Sequence, residues 1–254
     1  MGKYFTVEVK PVIPATTNGL HAAFADGEIL FDWTAFDVPK GACKLIGAHL
    51  EVRPKGDSGS TVNRFPLELL FAKSKRIDGA ITAPSTLGVE GAAPVAPTNI
   101  TLQSDTHLGH MPIVIGGFGE VNDSLAVSST AAPDGMVLEG LPDSGTNVGY
   151  DKLYVGGIAG GAFNFVSSTV IDNGDLNGPT MTTGGTDPRL FIAVGDTVAA
   201  CDATGTTAEI AMGTVASMTS TTVVLESAFT TGDVANADIV YNVSPVRILL
   251  TFEK

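Results

Sequence analysis

The chain predicts an all-β protein, a main β body with a small inserted β lobe. Three observations carry that expectation. An apolar residue recurs at every second position near both ends, in Tyr4–Lys10 and in Val246–Phe252. Between Leu190 and Asn242, short apolar runs are separated by clusters of Gly, Asp, Ser and Thr. No stretch longer than a turn or two carries the 3.6-residue period of an amphipathic helix. Period two means side chains on alternate faces, hence half-buried strands.

Taken in order, Phe5, Val7 and Val9 share one face, with Tyr4, Thr6, Glu8 and Lys10 opposite. Pro11 and Pro14 end this strand, since proline cannot donate to a ladder. Leu20–Phe36 follows with Phe24, Ile29, Leu30, Phe31, Trp33 and Phe36, an aromatic cluster read as core. Ile46, Ala48, Leu50 and Val52 alternate with Leu45, Gly47, His49, Glu51 and Arg53, and Pro54–Gly59 reads as a turn. Phe65, Leu67, Leu69 and Phe71 form the next apolar face, with Pro66 marking an edge strand or a strand start. Residues 78–99 carry Pro84, Pro94 and Pro97 among Gly and Ala, a long connection of the kind that serves binding or assembly. Strand-like runs resume at Ile100–Leu102, Pro112–Ile115, Met136–Leu138, Tyr154–Val155 and Phe163–Val170. Ile171–Pro188 reads as loop. The double glycines Gly116-Gly117, Gly156-Gly157, Gly160-Gly161 and Gly184-Gly185 read as bends and bulges.

In the Thr/Val-rich stretch, Gly195-Asp196 and Asp202–Gly205 read as turns and Met218–Thr222 as a hairpin tip. The expected division is a body of residues 1–188 completed by 243–254, with 189–242 as the inserted lobe. Its expected core is Ile192, Val194, Val198, Ile210, Val215, Val223, Leu225 and Ile239. The first and last strands both present clean apolar faces, so they are expected to share one sheet or adjacent sheets.

Composition narrows the function. Lys and Arg total 14 against 27 Asp and Glu, a net charge of −13. That balance argues against a nucleic-acid partner. Residues 1–76 hold 10 basic and 8 acidic residues, whereas 77–242 hold 2 basic and 18 acidic, a net of −16. The near-neutral end is the better contact face and the acidic part the better solvated one. Cys43 and Cys201 are too few and too far apart for a disulfide scaffold, and both read as small core residues. No hydrophobic leader follows Met1 and no apolar run approaches a membrane span, so the expectation is a soluble protein.

The motifs of chemistry are largely missing. There is no phosphate-binding loop, dinucleotide fingerprint, nucleophile-elbow or H-E-x-x-H pattern. His107 and His110 with Asp105 nearby form the best metal candidate, but zinc wants a further ligand and the spacing reads as exposed loop. Asp172, Asp175 and Asn177 have the composition of a Ca²⁺ loop without its order, because Gly stands third and Thr183 occupies the place of the bidentate Glu. The sequons at Asn99, Asn122 and Asn242 need a secretory context. No catalytic, cofactor-binding or metal-ligating residue is nominated, and no enzyme activity is expected.

Four stretches together carry a resemblance: YFTVEVKPVIP (Tyr4–Pro14), RFPLELLFAK (Arg64–Lys73), Gly195–Leu225, and SPVRILLTFEK (Ser244–Lys254). Covering about a quarter of the chain, they look like the cement or head-decoration proteins of tailed bacteriophages, particularly marine ones. The resemblance implies a jelly-roll-like β-sandwich on an icosahedral shell, often trimeric, with the major capsid protein as partner. It implies a virion location, with assembly in the host cytoplasm, and no catalytic residues. Two alternatives remain: a receptor- or carbohydrate-binding β module of a tail or fibre, which would need more exposed aromatics than Trp33 and four Tyr supply, and a β-sandwich hydrolase.

Overall fold

A computed structural model describes residues 2–13, 23–53, 64–94, 106–122, 125–142, 150–162, 165, 169–172, 178–185, 187–202, 209–228, 234 and 236–254. The fold is an all-β sandwich. Its body strands are β1 (Tyr4–Val9), β2 (Ile29–Pro39), β3 (Cys43–Val52), β4 (Leu67–Lys73), β7 (His107–Ile113), β8 (Phe118–Asn122), β9 (Leu125–Leu138), β10 (Tyr150–Ala159) and β17 (Val246–Glu253). A two-stranded hairpin, β5 (Lys75–Ile77) and β6 (Ala80–Thr82), follows β4.

The first sheet runs β1-β17-β3-β9-β8 and the second β2-β10-β4-β7. Leaving aside the edge strand β8 and the small hairpin, the pairing is nested. β1 pairs with β17, β2 with β10, β3 with β9 and β4 with β7, all antiparallel. One long hairpin rolled into two facing sheets gives this order, which is jelly-roll connectivity. β1 pairs with β17 along its whole length, from Tyr4 opposite Glu253 to Val9 opposite Ile248.

The reason these residues roll up this way is the inward row each strand supplies. Val246, Ile248, Leu250 and Phe252 are each fully buried, facing Phe31, Leu69, Phe71 and Val155 from the second sheet within one core. Phe36 and Phe252 meet across the sheets with ring centroids 6.2 Å apart. Burying one such side chain stabilises by roughly 1.5–3 kcal/mol.

Local sequence explains the departures from simple alternation. In β3 the inward residues are Cys43, Leu45, Ala48, Leu50 and Val52. Ile46 therefore does not lie on the inward row where strict alternation puts it. It is skipped in both ladders that flank β3, a bulge that shifts the phase by one residue. The Gly156-Gly157 pair serves both faces of β10. A Cβ at Gly157 would strike the Phe31 ring on the inner side, and one at Gly156 would strike Leu87 and Trp33 on the outer side.

The inserted lobe is a closed barrel in the order β11-β12-β15-β14-β13-β16. Its strands are β11 (Thr169–Ile171), β12 (Thr180–Gly185), β13 (Thr197–Cys201), β14 (Ile210–Met218), β15 (Thr222–Leu225) and β16 (Ile239–Asn242). The barrel thus starts at Thr169, about twenty residues before the expected boundary at 189. Two of its strands come from Ile171–Pro188 and the run before it. Thr180–Gly185 resembles a loop by composition, but Met181 and Thr183 alternate inward against β15.

The barrel has its own core of Ile171, Met181, Ile192, Val198, Met212, Val215, Val223 and Leu225, with Ile210 packed against it. Val194, expected there, is 63% exposed, because it precedes the tight Gly195 turn. Ile239 faces the other way. Ala199, Cys201, Ile239, Tyr241 and Val243 belong to the body core, while their strand neighbours Val198, Ala200 and Val240 fill the barrel. β13 and β16 are therefore a shared wall, and every residue of β16 is buried.

Candidate interaction surfaces and polar clusters

Across the outer face of the second sheet lies the described part of the long connection. Leu87 is buried over Gly156 beside the Trp33 ring. The Trp33 indole N–H donates to the Ser85 carbonyl at 2.8 Å. The Asp32 carboxylate accepts from the Thr86 hydroxyl at 2.5 Å and from the Leu87 N–H at 2.8 Å. Further on, Gly91 N–H donates to Ile29 O at 2.8 Å and Ile29 N–H to Ala92 O at 2.9 Å. Residues 84–92 are thus a strap fastened from below. Ala83, Thr86, Val89, Ala93 and Pro94 are exposed, and the half-buried Glu90 is the one acidic residue among them. Residues 95–99 lie outside the described residues.

The outer face of the first sheet is different in kind. A chain of polar contacts crosses it. Glu8 on β1 pairs with the Arg247 guanidinium on β17, which also holds both oxygens of Glu51 on β3 at 3.0 and 3.1 Å. Arg247 keeps the Glu8 carboxyl below its ordinary range, chiefly through that hydrogen bond. Glu51 Oε1 lies 3.6 Å from His49 Nε2, and His49 Nδ1 lies 2.8 Å from Ser129 Oγ on β9. His49 and Ser129 are direct cross-strand partners. Beside them the Ile46 bulge opens a shallow hollow of about 320 Å³, lined by Gly47, His49, Ser129, Thr130, Ala131 and Thr251. Ser129, His49 and Glu51 escaped sequence reading because the fold, not spacing, unites them. The only earlier signal was the polar side of the β3 alternation.

The residues singled out in the sequence mostly go elsewhere. His107 and His110 lie on β7, the outer strand of the second sheet, and not in a loop. The β4–β7 register skips Leu108, which packs inward while both histidines stay exposed. Partial desolvation, then the neighbouring His110, holds His107 below its ordinary pKa. His110 Nε2 is 3.7 Å from Glu68 Oε1. Among the described residues no group of three or more His, Cys, Asp or Glu could hold a metal ion, and Asp105 lies outside them.

Asp172 follows β11, with its N–H donating to Thr182 O at 2.9 Å. It stands at the mouth of the β11–β12 hairpin, and Asp175 and Asn177 lie outside the described residues. Asn242 is buried: its amide donates to Asp196 Oδ2 at 2.9 Å and its Oδ1 accepts from Ser244 N–H at 2.9 Å. That sequon cannot serve a glycosyl transferase in the folded chain. Asn122 lies in β8, and Asn99 falls outside the described residues. Cys43 and Cys201 are free and buried, and burial pushes each thiol up to about 11. No helix among the described residues is long and apolar enough to cross a membrane.

A second cleft, of about 200 Å³, lies where body and barrel meet, lined by Arg53, Leu125, Arg189 and Ile192 among others. Its two guanidiniums are engaged within the chain, Arg53 by Asp196 and Arg189 by Asp187.

No protein-family model matches the chain. No curated protein matches it. Among solved structures, it is similar to a chain of "Structure of infectious bursal disease virus Gt strain", at 12% identity and a TM-score of 0.13. That alignment covers 99% of this chain and 42% of the viral one, so the chain spans about two fifths of its length. A likeness at that level carries no argument about fold or function.

Proposed function

We propose that this chain is a virion structural protein, a cement or decoration protein that binds the outside of an icosahedral phage head and stabilises it by protein–protein contacts. The observation that carries the reading is the strap over the second sheet. Its exposed residues are uncharged, with Glu90 half-buried beside them, and its backbone is pinned from beneath by Trp33 and Asp32. A surface held in one conformation loses little entropy on docking, and one without charge loses little solvation. The acidic character of 77–242 favours solvent for much of the remaining surface, since unpaired carboxylates are costly to bury.

The partner on this reading is the major capsid protein, and the protein acts as a homo-oligomer, with a trimer favoured. The resemblance of Tyr4–Pro14, Arg64–Lys73, Gly195–Leu225 and Ser244–Lys254 to phage head-decoration proteins supports it.

The test is copy number on purified particles, followed by rebinding to stripped capsids. A decoration protein is present in hundreds of copies, a tail or fibre component in few. Binding through the strap falls when Val89 is replaced by Asp, and depends only weakly on salt. Full occupancy by Val89→Asp, or affinity that collapses between low and moderate salt, would remove the strap from the interface.

A further inference from the structure

We propose that Ser129, His49 and Glu51 form an acyl-transfer site on the outer face of the first sheet, acting on small esters that enter the hollow beside the Ile46 bulge. This goes beyond the capsid reading and does not depend on it. The three side chains lie in line: nucleophile to base at 2.8 Å, base to carboxylate at 3.6 Å. That is the order nucleophilic catalysis requires: a weak nucleophile, a neighbouring base, and a third group that fixes and stabilises the charged base.

The surroundings fit. Glu51 is held from its far side by both of its oxygens on Arg247, so its position is set before any substrate arrives. At 3.6 Å it acts on His49 as a nearby negative charge and not as a hydrogen-bond acceptor. His49 is half-buried and Ser129 exposed, so the reacting oxygen is accessible. The hollow of about 320 Å³ reaches Ser129 and His49 together. Ile46, which has no partner in either flanking ladder, also lines it. The small walls, Gly47, Ala131 and Thr251, suit a short acyl chain.

The chemistry balances without a cofactor. With Nε2 protonated toward Glu51, Nδ1 accepts the Ser129 proton as Oγ bonds to the ester carbonyl carbon. The tetrahedral intermediate then expels the alkoxide, which leaves as alcohol with the proton from Nδ1. Water, deprotonated by the same nitrogen, attacks the acyl-Ser129 and releases a carboxylic acid and the free serine. Ser129 and His49 are the catalytic residues, and Glu51 is a positioning residue.

The test is phosphonylation of the full chain by a fluorophosphonate probe, mapped by peptide mass spectrometry, alongside hydrolysis of p-nitrophenyl acetate. The expected result is modification at Ser129, lost in Ser129→Ala, with His49→Gln slowing it about 100-fold or more, the scale of general-base catalysis. Trp33 fluorescence reports whether each variant keeps its fold. Glu51→Gln should lower kcat for p-nitrophenyl acetate with little change in KM, because the substrate hollow is left intact while the group beside His49 loses its charge. A purely structural role for Glu51 would leave kcat unchanged in a folded variant. No modification at Ser129, or an equal rate in a folded His49→Gln variant, overturns the proposal.

Discussion

Arg53 Nη1 lies 2.7 Å from Asp196 Oδ2, joining the end of β3 to the barrel across 143 residues of chain. The same oxygen also accepts from Ala193 N–H at 2.8 Å and from the Asn242 side-chain amide at 2.9 Å. One carboxylate therefore holds the body, the turn before β13 and the end of β16. Replacing Asp196 by Ala removes the charged acceptor of the Asn242 amide and of the Ala193 N–H, and with it the Arg53 ion pair across the two parts. The expected loss is about 2–4 kcal/mol in urea unfolding. Asp196→Asn keeps an acceptor and should lose less.

The shared wall changes what removing the lobe does. Sequence alone suggests an excursion whose deletion leaves the body folded. Ala199, Cys201, Ile239 and Tyr241 lie in the body core, so excising 169–242 strips four buried side chains from that core. Two of them, Ile239 and Tyr241, are large, and at roughly 1.5–3 kcal/mol each their loss is a sizeable part of a typical total stability of about 5–15 kcal/mol. The expected outcome is insoluble or unfolded protein. A soluble deletion product with a sharp thermal transition at the parent temperature would show the wall to be dispensable.

Truncation before Val246 should abolish folding outright. It removes four fully buried side chains and separates β1 from β3, since β17 lies between them. Far-ultraviolet circular dichroism and size exclusion on the truncated chain check this directly.

The strap can be loosened from beneath. A Cβ at position 156 would stand 2.7 Å from Leu87 Cδ1 and 3.2 Å from Trp33 Cε3. Gly156→Val should therefore lift Leu87 and expose the indole. The chain has a single tryptophan, so a red shift in its emission reports the lifting, and capsid rebinding tests whether the strap is used.

Alkali should destabilise the protein before it reaches the pH at which the folded thiols ionise. Burial raises Cys43 and Cys201 from 9.0 to about 11 and pushes the Tyr241 hydroxyl up as well. A raised folded-state value means the unfolded chain releases its protons first. The stability these groups contribute is whole below about pH 9 and is lost as pH climbs toward about 11. Urea midpoints measured from pH 8 to 11 should fall over that window and recover partly in Cys43→Ala. Native thiols should resist alkylation at pH 8.

The strongly patterned strands were legible in the sequence. Tyr4–Val9 and Val246–Glu253 each carry an apolar residue at every second position, and they pair as those apolar faces require. The β12 strand was hidden because Thr and Gly serve loops and barrels alike. The Ile46 phase shift was hidden because a bulge has no composition of its own. The sequence places a strand-like run from Pro112, whereas β7 starts at His107, where Leu108 packs inward across a skipped register. Cross-strand partners such as His49 and Ser129 stand 80 residues apart, and only the register of β3 against β9 brings them together.

The nested pairing also dictates when the fold can be completed during synthesis. The innermost pair, β4 with β7, closes early, and each outer pair waits for a later strand. β17 fills the gap between β1 and β3. Until it leaves the ribosome, both neighbours present open edges along a sheet that already has an apolar face. Such a half-finished sheet pairs readily with its counterpart on the next nascent chain. The long loop closures make the last step slow as well. Yield of folded protein should therefore depend on how densely ribosomes load the message, with crowded polysomes favouring aggregates joined through β1 and β3.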